Sequence, residues 1–157
     1  MTNSTGTKEI RIFLDSNVIL SGLLSEKGSP RVILDILCLG LPGIRGLTGQ
    51  YNIIETERNI AKKLPEILPI YNQYLPKLNL VIVPLPSRAN IEKFKGSVPE
   101  KDVPVLVSAI EGKADFLVTG DKKDFGGIKG DKSLPFKIVG PSELLADIPW
   151  GEIRRIP

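Results

Sequence analysis

The chain has 157 residues, 41% of them hydrophobic and 25% charged, which fits one ordinary globular domain with a single sizeable core. It contains no histidine and one cysteine, Cys38. That excludes Ser-His-Asp and Cys-His nucleophilic centres, histidine metal ligation, a disulfide framework and a cysteine zinc site. A net charge of +3 leans weakly towards polyanions and does not by itself argue for nucleic acid. No apolar run approaches the roughly 18 residues needed to span a bilayer, so no membrane association is expected. Residues 1–9 read as a flexible polar lead-in without a signal-peptide core, and the expected location is cytoplasmic. A single domain is expected over 10–148, with 149–157 as a C-terminal tail.

In chain order, Ile10 to Leu14 is a short β-branched and aromatic run, the composition of a strand buried on both faces. It stops at Asp15-Ser16-Asn17, residues suited to a turn and a helix cap, and Val18 to Leu24 follows as a short helix. Ser29-Pro30, a cap followed by proline in the first turn, starts a second helix whose Val32, Ile33, Ile36 and Leu37 share a face, with Cys38 in the core pattern. The stretch 41–49 should be the next strand, but its three glycines make a poor one. Gln50 to Lys63 is helical, with Ile53, Ile54, Ile60, Ala61 and Leu64 available for the core. Glu66 to Leu78 continues as a helix broken at Pro69, and Leu80 to Val83 is a short buried strand. Arg88 to Lys95 is a short helix, and a further helix starts at Lys101 or Asp102, with Pro104 tolerable in its first turn. Val105, Leu106, Ala109 and Ile110 form its apolar side. Ala114 to Thr119 is a strand ending in the polar turn Gly120 to Asp124, followed by a glycine- and lysine-rich loop over 126–133. Phe136 to Val139 is the last strand, and Pro141 opens the last helix. Alternating strands and helices predict an α/β fold with a mostly parallel sheet.

Two carboxylates, Asp15 and Asp121, follow the ends of buried strands, where open parallel sheets place their ligands. Asp102 is expected to start at the opposite edge and to reach the site through an arching loop, and Glu55 projects from the helix after the second strand. Converging carboxylates repel and raise each other's pKa, a conflict that a hard divalent ion such as Mg²⁺ or Mn²⁺ removes. Without histidine, hydrolysis would run on water and oxygen-bound metal. Lys101, Lys122 and Lys123 lie beside these acids and are candidates for holding phosphates.

The segments Phe13-Leu14-Asp15-Ser16-Asn17, Glu55-Thr56-Glu57-Arg58-Asn59, Lys101-Asp102 and Leu117-Val118-Thr119-Gly120-Asp121, in this order, resemble a PIN domain of the VapC-like toxin branch. The likeness covers about Arg11 to Leu145. It implies a three-layer α/β/α sandwich, a carboxylate pocket for Mg²⁺ or Mn²⁺, and metal-dependent cleavage of RNA phosphodiesters by water. Matched by position, Asp15, Asp102 and Asp121 would be metal-holding catalytic acids. Glu55 best matches the remaining acid, with Glu57 as its rival on another helix face. Asn17 and Thr119 match polar positions that hydrogen-bond around the acids, and Asp124 would be an outer ligand. The implied partners are RNA, an antitoxin protein and a second copy of the chain, the last through the apolar helices before residue 80. A PIN-like module that binds RNA or protein without cutting is the alternative. A dehalogenase-type phosphatase would want a second aspartate where Asn17 stands, and no P-loop motif is present.

Overall fold

The computed structural model describes residues 9–121 and 123–152, so the lead-in over 1–8, Lys122 and the tail from 153 lie outside the described residues. Five parallel strands form the sheet: β1 Ile10–Leu14, β2 Ile44–Gly49, β3 Val81–Val83, β4 Phe116–Val118 and β5 Lys137–Val139. Their order is β3-β2-β1-β4-β5. The chain therefore steps outward from β1 to β3, then crosses back to lay β4 on the other side of β1. The β1–β4 boundary is the point where the winding reverses, and there the crevice beyond the strand ends opens.

Alternation along each strand builds two cores. Phe13, Leu47, Leu117 and Ile138 face one side, packed with Val103, Leu106 and Val107 of helix α6 (Val103–Glu111). Ile12, Leu14, Val118 and Val139 face the other. There they meet α1 (Ser16–Leu24), α2 (Ser29–Cys38) and α7 (Pro141–Asp147) through Val18, Ile33, Leu34 and Leu144. Each such buried aliphatic side chain stabilises the fold by about 1.5–3 kcal/mol. The result is the expected three-layer α/β/α sandwich. The remaining helices are α3 (Gln50–Lys63), α4 (Leu68–Tyr74) and α5 (Arg88–Lys93), with 3₁₀ turns at Pro65–Ile67, Leu75–Leu78, Glu100–Asp102 and Trp150–Glu152.

The structure departs from the sequence expectation at five places. The glycine-rich stretch does form a strand: β2 pairs with β1 from Ile10↔Ile44 to Phe13↔Leu47. A Cβ on Gly46 would stand 2.7 Å from Leu80 Cδ2 and 2.8 Å from Leu37 Cδ1, so glycine here makes room for the helix above rather than breaking the strand. In α2 it is Leu34 that is buried with Ile33 and Leu37, while Val32 is 44% exposed. Ser29 is the first residue of α2 rather than its cap, which is Gly28. β3 is an edge strand, so Val81 and Ile82 are open to solvent and only Val83 is buried. Of the five core residues expected in and just after α3 only Ile60 is buried; its companions on the buried face of the helix are Asn52 and Thr56.

Candidate active site

Position of the acids follows from the topology. Asp15 directly follows β1 and is the N-cap of α1, its Oδ1 accepting the Ser16 N–H at 2.8 Å. Thr119 directly follows neighbouring β4, which is in register with β1 through Leu14↔Val118. Its hydroxyl donates to Asp15 Oδ2 at 2.9 Å and accepts the Asp121 N–H at 3.0 Å. One threonine thus fixes two acids. Asn17 Oδ1 accepts the Gly120 N–H at 2.9 Å, tying the first turn of α1 to the loop that carries Asp121.

Asp102 corrects the expectation that it begins at the far edge. A helix returning between parallel strands runs antiparallel to them, so it starts where the preceding strand ended. The turn at Glu100–Asp102 and the start of α6 therefore lie at the same C-terminal edge as Asp15, with no arching loop required.

Asp15, Asn17, Glu55, Lys101, Asp102 and Asp121 line one cavity of about 180 Å³, together with Ser16, Leu20, Thr56 and Asn59. Glu57 is turned out of it and accepts a hydrogen bond from the Tyr71 hydroxyl at 3.3 Å. Asp124 sits at the rim, its Oδ2 2.9 Å from Lys101 Nζ, which is also 3.9 Å from Asp121 Oδ2. Lys123 is exposed and is not among the residues lining the cavity. Lys122 lies outside the described residues.

Burial sets the electrostatics. Asp15 is 6% exposed, and desolvation pushes its pKa up from 3.8 to about 6 against the hydrogen bonds from Thr119 and Ser16, with Glu55 and Asp121 adding repulsion. Asp102, 8% exposed, is also raised, first by desolvation and then by the Asp124 carboxyl that it faces. Asp124 is held below its usual value, chiefly by Lys101. As a carboxylate, Asp102 has a buried Oδ2 with no hydrogen-bond partner among the described residues.

The acids facing the cavity offer oxygen donors, and the buried Asp102 Oδ2 lacks a hydrogen-bond donor among the described residues. A hard divalent cation suits that set. Among the described residues no three acids are already gathered tightly enough to hold a metal.

A family model for the PIN domain matches residues 11–123. The chain belongs to the PIN domain family. PIN domains are generally nucleases. By structure, this PIN domain is similar to VapBC from Salmonella typhimurium bound to DNA, with TM-score 0.63 and 12% identity over 84% of this chain and 98% of that one. It is also similar to VapBC-1 of nontypeable Haemophilus influenzae, with TM-score 0.60 and 14% identity over 85% and 99% of the two chains. VapBC2 of Rickettsia felis, bound to a promoter DNA fragment, gives TM-score 0.55 and 16% identity over 83% and 98%. At such identities the likeness is one of fold. No curated protein matches the sequence.

Five buried or lining residues escaped the sequence reading: Ser16, Leu20, Asn52, Thr56 and Asn59. The Asn52 Nδ2 donates to Ser16 Oγ at 2.9 Å and to Asp15 Oδ1 at 3.3 Å, supporting the acid from below. The signal for the three on α3 is periodic. Asn52, Glu55, Thr56 and Asn59 recur at i, i+3, i+4 and i+7, a polar stripe at the spacing normally taken by a core face.

Proposed function

We propose that this PIN domain is a Mg²⁺- or Mn²⁺-dependent endoribonuclease and the toxin of a toxin–antitoxin pair. One observation carries the reading: four carboxylates from four separate segments, Asp15, Glu55, Asp102 and Asp121, line one small cavity at the switch point of the sheet. In this reading those four hold the cation, which when bound supplies an acidified water and stabilisation of the leaving oxygen. The protein's own part is orientation. Thr119 and Ser16 hold the two oxygens of Asp15, Asn17 holds the backbone before Asp121, and Lys101 offers an ammonium for a phosphate. The antitoxin rests on the likeness of fold to chains solved as VapBC complexes. Exposed Ile54 and Ile70, on α3 and α4, are where a second copy would pack. No helix of the described residues is long and apolar enough to cross a membrane.

The open spacing of the acids favours one rival, a module that binds RNA or protein without cutting it. Incubating a mixed RNA pool with Mn²⁺ or Mg²⁺, beside chelator and Asp121→Asn controls, separates the two. Cutting that needs both metal and Asp121 supports the nuclease. If nothing is cut and metal has no effect on thermal stability, the rival holds.

A further inference from the structure

We propose that Lys101 is a tethered counter-ion of the acid pocket, latched on Asp124 in the metal-free protein and released to an RNA phosphate when a divalent cation loads. The proposal rests on the nuclease reading and adds to it a competition at the same site.

Lys101 is the one basic residue among the described residues that line the cavity. Its ammonium lies 2.9 Å from Asp124 Oδ2 and 3.9 Å from Asp121 Oδ2, so it occupies the mouth between an acid of the pocket and one at its rim. The backbone and the side chain of this residue are held differently. The Tyr51 hydroxyl of α3 donates to the Lys101 carbonyl at 3.2 Å, pinning the main chain in the turn before α6. The side chain is 65% exposed. A pinned backbone with a solvated four-carbon arm lets the ammonium change partners while the acids stay where they are.

The charge balance gives the direction of the exchange. One ammonium at the mouth faces Asp121 and Asp124, while Asp102 behind them keeps a buried Oδ2 without a hydrogen-bond donor among the described residues. The single charge of Lys101 therefore compensates the acids of the pocket only in part, and a divalent cation, which brings twice the charge, displaces it. Solvent-exposed ion pairs are weak, so the displacement lowers metal affinity by only about two- to fivefold. The released ammonium remains beside the cut site, where a phosphate is the next anion to arrive.

Mn²⁺ titration by calorimetry of the full chain tests this, with Lys101→Met, Asp124→Asn and the double variant compared with the parent. Lys101 is exposed and makes no core contact, so Lys101→Met should fold normally. The expected result is Mn²⁺ binding about two- to fivefold tighter in Lys101→Met, together with a higher KM for RNA cleavage. In the Asp124→Asn background the gain in Mn²⁺ affinity should largely vanish, because the latch is already open. Unchanged or weaker Mn²⁺ binding in Lys101→Met overturns the proposal, even if KM rises, since Lys101 is then only a phosphate contact. An equal gain in both backgrounds also overturns it, as a long-range charge effect. If the parent itself binds no Mn²⁺, the metal-dependent reading falls first and the latch with it.

Discussion

Replacing Asp15 by asparagine should make the metal-free protein more stable at neutral pH, and the gain should itself depend on pH. The folded pKa of Asp15, about 6, lies above its ordinary 3.8. Between those values the folded state binds more protons than the unfolded chain, so stability falls as pH rises through the window. Two units correspond to about 3 kcal/mol lost by neutral pH. The amide carries no charge and avoids that loss, and asparagine caps a helix as well as aspartate does. Its cost is hydrogen bonding. The Thr119 hydroxyl must turn from donor to acceptor towards the amide while still accepting the Asp121 N–H, a change worth about 1 kcal/mol. Asp15→Asn should therefore be roughly neutral near pH 4 and about 2 kcal/mol more stable at pH 7.5 with chelator present. Urea denaturation at several pH values measures it. In saturating Mn²⁺ the order should reverse, because binding at a hundred times Kd contributes about 2.7 kcal/mol that the variant largely forgoes. A variant less stable by the same amount at every pH would refute the reasoning and leave Asp15 as a helix cap.

Three further outcomes test separate parts of the site. Thr119→Val removes the donor to Asp15 and the acceptor for the Asp121 N–H while keeping the shape, and should cost about 1–3 kcal/mol at pH 7 and weaken Mn²⁺ binding; urea melts and calorimetry read both. Glu55→Gln should abolish RNA cleavage, whereas Glu57→Gln, outside the cavity and bonded to Tyr71, should keep cleavage and cost about 0.5–1 kcal/mol of stability. Gly46→Val should lower stability by about 1–3 kcal/mol, since its Cβ alone would press on Leu37 and Leu80, and thermal unfolding at fixed pH shows it.

The alternation of strands and helices was legible because each strand is a short β-branched run bounded by turn residues, as at Ile12-Phe13-Leu14 before Asp15. The acids Asp15 and Asp121 were legible for the same reason: a polar residue that interrupts a buried strand stands at its end. Where the reading failed, a neighbouring element overrode a local rule. Gly46 looked like a strand breaker, and its lack of a side chain is what lets Leu37 and Leu80 close over the sheet. Leu80 to Val83 looked fully buried, but strand order is a non-local property, and an edge strand covers fewer of its side chains. α3 misled most. Its isoleucines were counted as core, yet the face turned inward carries Asn52 and Thr56, because what lies beneath it is Asp15 and Ser16 rather than aliphatic side chains.

That inversion links the fold to the site. A helix normally secures itself by an apolar stripe, and α3 instead spends the positions i, i+3, i+4 and i+7 from Asn52 on polar groups, two of them buried with an oxygen left unpartnered. Each such buried atom costs about 1–3 kcal/mol, and the desolvated Asp15 adds a comparable loss. Only Ile60 of this helix is a fully buried hydrophobe. A sequence selected for stability alone would have filled these positions with leucine or alanine. Their polarity is therefore itself an argument that the cavity is kept for a ligand of opposite charge, and it names the helix that should gain most from one. Amide exchange in α3 should slow on adding Mn²⁺, more than exchange in α2 or α7, whose apolar faces are closed without it. Equal protection across all three helices would mean that the polar stripe of α3 plays no part in binding.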